Sequence, residues 1–351
     1  MNAFFSHVVI ESIAHVLPPV VMTSDEIEQR LSTLYERLHL PFGRLELMTG
    51  IQERRLWDEA ILPSQASTQA AESILQKTSI QRDSIDLLIH ASVCRDRLEP
   101  ATAAYVHRNL QLSKHTLFFD LSNACLGFLN AMAMVAAMIE AQQIRSALIV
   151  SGENGKPLLD HTLALLQNNT TITRREIKSY FANLTIGSGA VAAVLCHESF
   201  GKSNKNLLKL KAISALSDSS GCTLCQGDAT ADSGLTMQTD SEPLLKLGIQ
   251  LARNNWQHFL HYTRLQSTDI AHTICHQVGH RHRSLLYQAL ELDLEKDFST
   301  FPFLGNTGSV ALPLSLSLAV EKNIIQGKTA LLGIGSGISS LMMLLENVAA
   351  I

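Results

Sequence analysis

The sequence lacks the features that mark several common classes of protein. Its 351 residues carry a formal net charge of only −4, with 28 Lys and Arg against 32 Asp and Glu. So small an imbalance gives no reason to expect nucleic acid or an anionic membrane surface as a partner. The longest apolar stretch, around Met132–Ile139, falls well short of the roughly 20 residues that a membrane-spanning helix needs. Met1–Val20 has neither a basic region nor a small-residue cleavage site, so we predict no signal peptide and a cytoplasmic location.

Cysteine is present but shows no disulfide framework. The six thiols are scattered along the chain: Cys94, Cys125, Cys196, Cys222, Cys225 and Cys275. We interpret them as free thiols in a reducing compartment. Cys222 and Cys225 form a lone CxxC in a polar stretch; without a second pair, a structural zinc or a redox role is the minor alternative. The run from His276 to Arg283 contains three histidines and could bind a metal, but no second cluster matches its spacing, so we predict no metal site. We interpret His280 and His282 as surface residues at the start of a helix.

Apolar residues make up 46% of the sequence, and one stretch of them predicts the centre of the molecule. Phe118–Leu121 is typical of a short strand, Ser122-Asn123 of a turn, and the following residues of a long helix that is apolar on every side. Such a helix indicates the interior of a large core. Cys125 lies where the turn meets the helix, and the unpaired N–H groups of a helix N-terminus lower the pKa of a thiol. The alternative is a small buried hydrophobe, as free Cys often is.

Strands and helices alternate along the chain, which is typical of an α/β protein. We predict strands at 6–13, 85–93, 147–152, 184–195, 208–215 and 270–275, and a last one at Ala330–Ile334. One helix is predicted from Ser24 as N-cap and another at His280–Leu290. The segments Asn154–Tyr180 and Cys222–Thr239 are interpreted as a weakly patterned insertion and a loop. The polar stretch Glu198–Asn206 predicts a boundary between one half at 1–200 and a second at 201–351.

The two halves resemble each other at an offset of 183 residues. Asp86 matches Asp269, and Asn123 matches Asn306, with the same order of strands and helices around them. Constant spacing and order favour a duplicated unit with a pseudo-twofold axis. Because ligands gather at the carboxyl ends of parallel strands, the duplication predicts one site containing Cys125, His276 and Asn306.

Four ordered motifs resemble the thiolase superfamily, most closely its β-ketoacyl-acyl carrier protein synthase III branch. They are Asn123-Ala124-Cys125-Leu126-Gly127-Phe128, His276-Gln277-Val278, Gly305-Asn306-Thr307-Gly308-Ser309-Val310-Ala311-Leu312-Pro313 and Gly333-Ile334-Gly335-Ser336-Gly337, together with Thr49-Gly50-Ile51-Gln52-Glu53-Arg54-Arg55. The stretch Arg95-Asp96-Arg97-Leu98-Glu99-Pro100 is most similar to the enzymes that join two fatty acyl-CoAs head to head in long-chain olefin biosynthesis. The resemblance covers nearly the whole chain.

This resemblance implies a five-layered αβαβα fold, a homodimer and a Claisen condensation through an acyl thioester on Cys125. The backbone N–H groups of Cys125 and Ser336 would form the oxyanion hole, and His276 and Asn306 would stabilise the enolate. Glu99, reaching the site from the partner subunit, would remove the α-proton of the second substrate, although a capping role just before Pro100 at a helix start explains this carboxylate as well. No cofactor is implied, because the CoA or phosphopantetheine thioester is itself the substrate; acyl-CoA or acyl carrier protein would be the partners.

Three further residues are candidates for substrate binding. Arg54, Arg55 and Trp57 could hold the CoA nucleotide by charge and stacking, although a solvated basic edge explains them as well. Gly279 stands where synthase III enzymes usually carry an Asn that donates a helper hydrogen bond. Its absence favours a reaction other than the decarboxylative condensation of a malonyl thioester. Three rival functions remain open: a malonyl-acyl carrier protein synthase III, acyl transfer to an oxygen or nitrogen acceptor, and an inactive partner subunit that shapes another chain's tunnel.

Overall fold

The structure is a computed structural model and describes residues 1–58, 61–200, 206–230 and 234–349. Its strands are β1 (Asn2–Phe4), β2 (Val8–Val16), β3 (Val20–Thr23), β4 (Glu53–Leu56), β5 (Leu87–His90), β6 (Leu117–Asp120), β7 (Ser146–Glu153), β8 (Gly189–His197), β9 (Asn206–Ser217), β10 (Cys225–Thr230), β11 (Gly234–Thr239), β12 (His272–Cys275), β13 (Lys328–Gly335) and β14 (Ser339–Ala349). Its α-helices are α1 (Ser24–Arg30), α2 (Ser32–Arg37), α3 (Arg44–Thr49), α4 (Pro63–Leu75), α5 (Thr102–Asn109), α6 (Gly127–Glu140), α7 (Lys156–Asn168), α8 (Ser241–Thr263), α9 (His280–Leu290), α10 (Phe301–Leu304) and α11 (Ala311–Glu321).

The strand order is mirrored about the centre of the main sheet. Among the described residues, the strands run β12-β13-β14-β9-β2-β8-β7-β5-β6, with β1 beside β9. From the central β2–β9 contact, the order β2-β8-β7-β5-β6 on one side corresponds to β9-β14-β13-β12 on the other. A parallel bridge between Thr273 and Asp297 occupies the place that β6 has in the first half. Each half therefore has the same mixed topology, with two parallel strands beside antiparallel neighbours.

Three apolar clusters define five layers. The central cluster packs α6 and α11 between strands of both halves. A second cluster places α4 and α5 on the outer face of the first half, and another places α8 and α9 on the outer face of the second. The layers are thus helix, sheet, helix, sheet and helix, which confirms the five-layered αβαβα prediction. A sheet face or helix stripe must be covered by another element, and here the two central helices are covered on both sides.

Helix α6 is buried around most of its circumference, as its sequence predicts. Phe128, Leu129, Met132 and Val135 all have 0% exposure. Burying each large apolar side chain stabilises the fold by about 1.5–3 kcal/mol. The helix begins at Gly127, two residues after Cys125, because Ala124 has φ +46°. That left-handed conformation costs an L residue about 1–2 kcal/mol and produces the sharp turn on which Cys125 sits.

Several predicted elements were wrong. The insertion at Asn154–Tyr180 contains α7, whose buried residues Leu159, Thr162, Leu163 and Leu166 have helical spacing. The loop at Cys222–Thr239 contains the antiparallel hairpin β10–β11. Ala330–Ile334 is not the last strand, because β14 follows it and pairs with both β13 and β9. The predicted boundary Glu198–Asn206 includes 201–205, which lie outside the described residues.

The N-cap of the first helix is Thr23, one residue before the predicted Ser24. The Thr23 side chain accepts from the Glu26 N–H, and the Glu26 carboxylate accepts from the Thr23 N–H. This capping box satisfies two backbone donors at the helix start. Ser24 instead donates its hydroxyl to Ile51 O, at 2.6 Å. Across the part of the chain that the structure describes, no helix is long and apolar enough to cross a membrane.

Candidate active site

The strand ends place the candidate residues along two edges that face each other. β5 runs parallel to both β6 and β7, so the segments following His90, Asp120 and Glu153 emerge at one edge. β12 runs parallel to β13, so His276 and Ser336 emerge together at the corresponding edge of the second half. Parallel strands gather ligand-binding residues at their carboxyl ends. The candidate site is therefore built from both halves.

Leu126 joins the Cys125 turn to the turn that contains Ser336. A Cβ added at Gly333 would come within 2.6 Å of Leu126 Cδ2, and one at Gly335 within 3.1 Å of its Cγ. Glycine is required at the first of these positions because the adjacent backbone leaves no room for a side chain. The turn around Ser336 thus lies beside the residue that follows Cys125. This arrangement is compatible with an oxyanion hole made from the Cys125 and Ser336 N–H groups.

The Cys125 thiol is protonated at rest, in contrast to the lowered pKa expected at a helix start. Burial, followed by the charges of Glu153 and Cys225, raises the pKa of Cys125 to about 12. Desolvation disfavours the thiolate more than the helix start favours it. The residue itself is partly exposed, so it is not sealed from substrate. A protein base must therefore take the proton when an electrophile arrives.

His276 is a neutral imidazole at physiological pH. It follows β12, is 4% exposed, and its backbone N–H donates to Leu332 O on β13. Burial, and then the charge of His282, lowers the pKa of His276 from its ordinary 6.5 to about 3. A neutral ring carries one N–H donor and one acceptor nitrogen. It can stabilise an enolate oxygen with an Nε2–H, or accept a proton.

Gln277 connects the His276 segment to the segment that carries Asn306. Its Oε1 accepts from the backbone N–H groups of Thr300 at 2.8 Å and Phe301 at 3.2 Å, at the start of α10. Helix α10 ends at Leu304, directly before Gly305 and Asn306. One buried amide therefore sets the spacing between the two predicted enolate-stabilising residues.

The backbone and side chain of Asn306 are held by separate hydrogen bonds. Its N–H donates to Thr185 O and its carbonyl accepts from the Gly187 N–H, both at 2.9 Å. Its Oδ1 accepts from the Gly308 N–H at 3.1 Å. Because the side-chain oxygen is occupied within its own turn, the Nδ2 donors are the atoms left to face a ligand. That is the orientation needed to donate to an enolate oxygen.

Glu153 was missing from the predicted site and lies within it. It ends β7, is 4% exposed, and accepts hydrogen bonds from Val93, Cys94 and Ser309. The available signal was an acidic residue three positions after the apolar run Ala147–Val150, still within the buried strand β7, since carboxylates are rarely fully buried.

Glu99 lies on an exposed loop rather than in its own protomer's site. The loop is anchored at Asp96, whose N–H donates to Thr102 Oγ1 and whose carboxylate accepts from the Ser64 N–H. Between these anchors the chain projects outward, with Leu98 at 91% exposure and Glu99 exposed. Within one chain, the structure does not bring Glu99 to Cys125.

Two of the three predicted substrate-binding residues are buried. Arg54 has 0% exposure, and its guanidinium donates to Met22 O, Ser24 Oγ and Leu184 O. Trp57 is 4% exposed, and its Nε1 donates to Glu153 O at 3.1 Å. Neither side chain is accessible to a CoA nucleotide, so the prediction that they bind substrate is corrected for both. Their hydrogen bonds are made inside the protein. Arg55 is partly exposed and remains a candidate.

We expect Arg54→Ala to lower the free energy of unfolding by about 2–5 kcal/mol, because three acceptors lose their donor and a cavity forms. Arg55→Ala is the matched control and should change stability by less than about 1 kcal/mol. Urea unfolding measures both. If Arg55 contacts the nucleotide, its variant alone will raise the KM for acyl-CoA. A marginal stability change in Arg54→Ala would contradict the structural role.

The remaining histidines and cysteines form no metal site in the described ranges. No group of three or more His, Cys, Asp or Glu side chains there could hold a metal ion. His280 is exposed at the start of α9, as predicted, whereas His282 is only partly exposed and its Nδ1 is buried. Burial lowers the pKa of His282 to about 4, so its prediction as a surface residue was wrong. Cys222 is exposed, and Cys225 accepts a hydrogen bond from Thr239 Oγ1 at 3.5 Å.

Two family models match the chain. "3-Oxoacyl-[acyl-carrier-protein (ACP)] synthase III" matches residues 119–215, and its C-terminal model matches residues 260–346. The acyl-CoA:acyl-CoA alkyltransferase of Shewanella oneidensis is 36% identical over 97% of this chain and 98% of its own length. The chain belongs to the 3-oxoacyl-[acyl-carrier-protein] synthase III family. It is accordingly an acyltransferase of the condensing-enzyme type.

The solved structures agree with this assignment. OleA from Xanthomonas campestris superposes with a TM-score of 0.92 at 33% identity, covering 98% of both chains. A structure of a cysteine-to-serine variant of that protein contains bound lauric acid and lauroyl-CoA. A β-ketoacyl-[acyl-carrier-protein] synthase III from Aliarcobacter butzleri is less similar, at 27% identity over 92% of this chain and 91% of its own. The fold is thiolase-like, as the motifs indicated.

Proposed function

We propose that the enzyme joins two fatty acyl-CoA molecules head to head, without decarboxylation, to give a β-keto acid. In the first step, the Cys125 sulfur attacks the thioester carbonyl of one acyl-CoA. The thiol proton passes to a neutral base such as the His276 imidazole, the bond to the CoA sulfur breaks, and CoA leaves with a proton. The Cys125 and Ser336 N–H groups stabilise the oxyanion during this exchange.

In the second step, the Glu99 carboxylate of the partner subunit takes an α-proton from a second acyl-CoA. The enolate oxygen accepts from His276 Nε2–H and Asn306 Nδ2–H, and the α-carbon attacks the acyl group on Cys125. The bond between the acyl carbon and Cys125 breaks and a β-ketoacyl-CoA forms. The departing sulfur takes up the proton that Glu99 removed, which restores the Cys125 thiol and the Glu99 carboxylate. Water then hydrolyses that thioester to the β-keto acid and CoA. No cofactor takes part, and the acyl-CoA pool that supplies both substrates is cytoplasmic.

The conformation of Gly279 is the observation that most favours this reaction over malonyl decarboxylation. Gly279 has φ +153°, and an added Cβ would come within 2.9 Å of Thr49 O. An Asn at this position, usual in the synthase III branch, would be strained and would clash. The helper hydrogen bond of that Asn therefore cannot be restored by a simple substitution. The greater identity to the alkyltransferase points the same way.

A homodimer is part of this proposal. Strand β6 is the edge strand of the main sheet and is exposed, with Leu117 at 57% and Phe118 at 39%. Val93 and Leu98, on the loop that carries Glu99, are also exposed apolar residues. Exposed apolar side chains at an unpaired strand edge mark an interaction surface. A second copy of the chain bound at this edge would cover these residues. It would also place the Cys125 site of one chain next to Glu99 of the other.

The proposal is tested by intact-protein mass spectrometry with lauroyl-CoA, followed by product analysis with and without malonyl-CoA. We expect an acyl adduct on the protein and a free β-keto acid in the absence of malonyl-CoA. A product that requires malonyl-CoA or its carrier-protein ester would select the decarboxylative reaction instead. An adduct that is discharged only to an added alcohol or amine would select acyl transfer to oxygen or nitrogen.

We expect Glu99→Gln to leave the acyl adduct intact and to lower β-keto acid formation by roughly 10²–10⁴-fold. The amide keeps the size of the side chain but cannot accept the α-proton. Glu295→Gln, an exposed glutamate in the other half, is the matched control and should condense normally. Unchanged condensation in Glu99→Gln would remove Glu99 as the base. Mixing Glu99→Gln with a Cys125→Ala chain tests the partner arrangement, because only a mixed dimer unites one intact Cys125 with an intact Glu99.

A further inference from the structure

Glu153 is a buried carboxylate to which the reaction above assigns no role. Its two oxygens are surrounded by donors from two different segments of the chain. On one side, Oε1 accepts from the Val93 N–H at 2.8 Å, and Oε2 accepts from the Cys94 N–H at 3.0 Å. On the other side, Oε1 accepts from Ser309 Oγ at 2.5 Å and from the Ser309 N–H at 3.4 Å. A buried carboxylate satisfied in this way fixes the positions of its donors.

The Ser309 contacts reach Asn306 through a single turn. Ser309 follows Gly308, whose N–H donates to Asn306 Oδ1. Ser309 Oγ also lies 2.9 Å from Ser151 Oγ and 3.0 Å from Ala91 O, so the turn is attached to β7 and to the end of β5. Glu153 thereby holds the turn in which the Asn306 amide is oriented.

The Val93 and Cys94 contacts reach the Glu99 loop. These residues begin the segment that leaves β5 and continues to the exposed stretch around Leu98 and Glu99. Two backbone N–H groups bound to one carboxylate fix the direction in which that segment starts. One side chain is therefore shared by the turn and the loop, which come from different halves of the molecule.

We propose that Glu153 is a positioning residue for the condensation step: its carboxylate holds the Asn306 turn and the start of the Glu99 loop in one arrangement. It touches no substrate and acts through Ser309, Val93 and Cys94. That the positioned step is a condensation rests on the proposed function. The hydrogen bonds of Glu153, and the effect of its charge on Cys125, are independent of that function. A second consequence follows from that charge, because the carboxylate favours the protonated Cys125 thiol.

The test compares three variants of the full-length enzyme. Glu153→Gln keeps the shape but presents an amide donor where two oxygens accepted. Ser309→Ala cuts the connection to the turn and leaves the charge in place. Glu28→Gln is the matched control: Glu28 is also fully buried and accepts from the Gly43 and Leu45 N–H groups, but in another cluster.

Two measurements separate positioning from general stability. The first measurement compares, in each variant, the rate of condensation with the rate of acyl-adduct formation, both with lauroyl-CoA as substrate. We expect condensation to fall roughly 10- to 100-fold in Glu153→Gln and Ser309→Ala, as for a displacement of about 1 Å, with the adduct retained. The second is the pH dependence of Cys125 alkylation by iodoacetamide. Glu153→Gln should shift its midpoint to lower pH, with alkylation at pH 8 roughly threefold faster or more. Ser309→Ala and Glu28→Gln should not shift it.

The proposal is overturned if Glu153→Gln or Ser309→Ala, at an unchanged melting temperature, condenses at the wild-type rate. It is also overturned if Glu28→Gln shows the same selective loss of condensation. If Glu153→Gln does not fold, Ser309→Ala still decides the positioning role. Should the wild type form no β-keto acid from lauroyl-CoA alone, the proposed function fails by itself. The alkylation profiles, and condensation with malonyl-CoA, then still test Glu153.

Discussion

Replacing Cys125 by Ala is expected to abolish both the acyl adduct and the condensation, with turnover reduced by roughly four orders of magnitude or more. The reason is chemical: without the sulfur there is no group on the protein to carry the first acyl chain. The sharp turn at Ala124 and the start of α6 place this thiol at the junction of the two halves. No other described thiol has that position.

Cys225→Ala is the matched control, because Cys225 is close enough for its charge to affect the pKa of Cys125. We expect this variant to form the adduct and to turn over normally. Intact-protein mass spectrometry after incubation with lauroyl-CoA measures the acyl adduct in both variants, and product analysis measures turnover. An adduct that persists in Cys125→Ala and disappears in Cys225→Ala would reassign the nucleophile.

The second large effect is expected from His276→Ala and Asn306→Ala. Asn306→Ala should form the acyl adduct normally, whereas His276→Ala should form it more slowly, because the imidazole also accepts the Cys125 proton in the first step. Once acylated, each variant should lose roughly 10²–10³-fold in condensation, which is typical of removing one donor from an oxyanion hole. The two donors belong to different segments, and Gln277 fixes their spacing through Thr300 and Phe301. Single-turnover experiments with pre-acylated enzyme measure the second step alone.

The pH profile gives an independent check on His276. Since burial lowers its pKa to about 3, the ring is neutral throughout the range from pH 5 to pH 8. As the pH rises, the ring loses its second proton well below pH 5. The rate of condensation should therefore show no change from His276 titration near its ordinary pKa of 6.5. His280→Ala, an exposed neighbour at the start of α9, is the control and should be silent. A step near pH 6.5 that disappears in His276→Ala would show that the ring titrates in water-like surroundings.

Local sequence pattern was sufficient for most of the fold, and its failures have specific causes. α9 was predicted at the residues it occupies, and its buried residues Leu286, Tyr287 and Leu290 have helical spacing. α7 was missed because a polar composition concealed the helical spacing of Leu159 and Leu166. The N-cap of α1 was placed at Ser24 instead of Thr23, because both side chains can cap a helix and only the bonds to Glu26 distinguish them.

The burial of Arg54, Trp57 and Glu153 could not be predicted from local sequence pattern. Arg54 and Trp57 resembled a surface for a nucleotide, yet strand β4 points Arg54 inward, and the Trp57 ring packs beside α4. Glu153 looked like an ordinary strand end. Which side of a strand faces solvent depends on what packs against it. That information lies in distant residues, from 30 positions away for the Arg54–Ser24 contact to 156 for the Glu153–Ser309 contact.

The sequence by itself determined the duplicated α/β architecture, the strand–turn–helix around Cys125 and the motifs that contain His276 and Asn306. These depend on spacing within short segments, where hydrophobic periodicity and turn residues act directly. The tertiary structure alone decided the protonation of the Cys125 thiol, the inward orientation of Arg54 and the central place of Glu153. Each of these is set by desolvation and by hydrogen bonds between distant segments, which exist only once both halves are packed together.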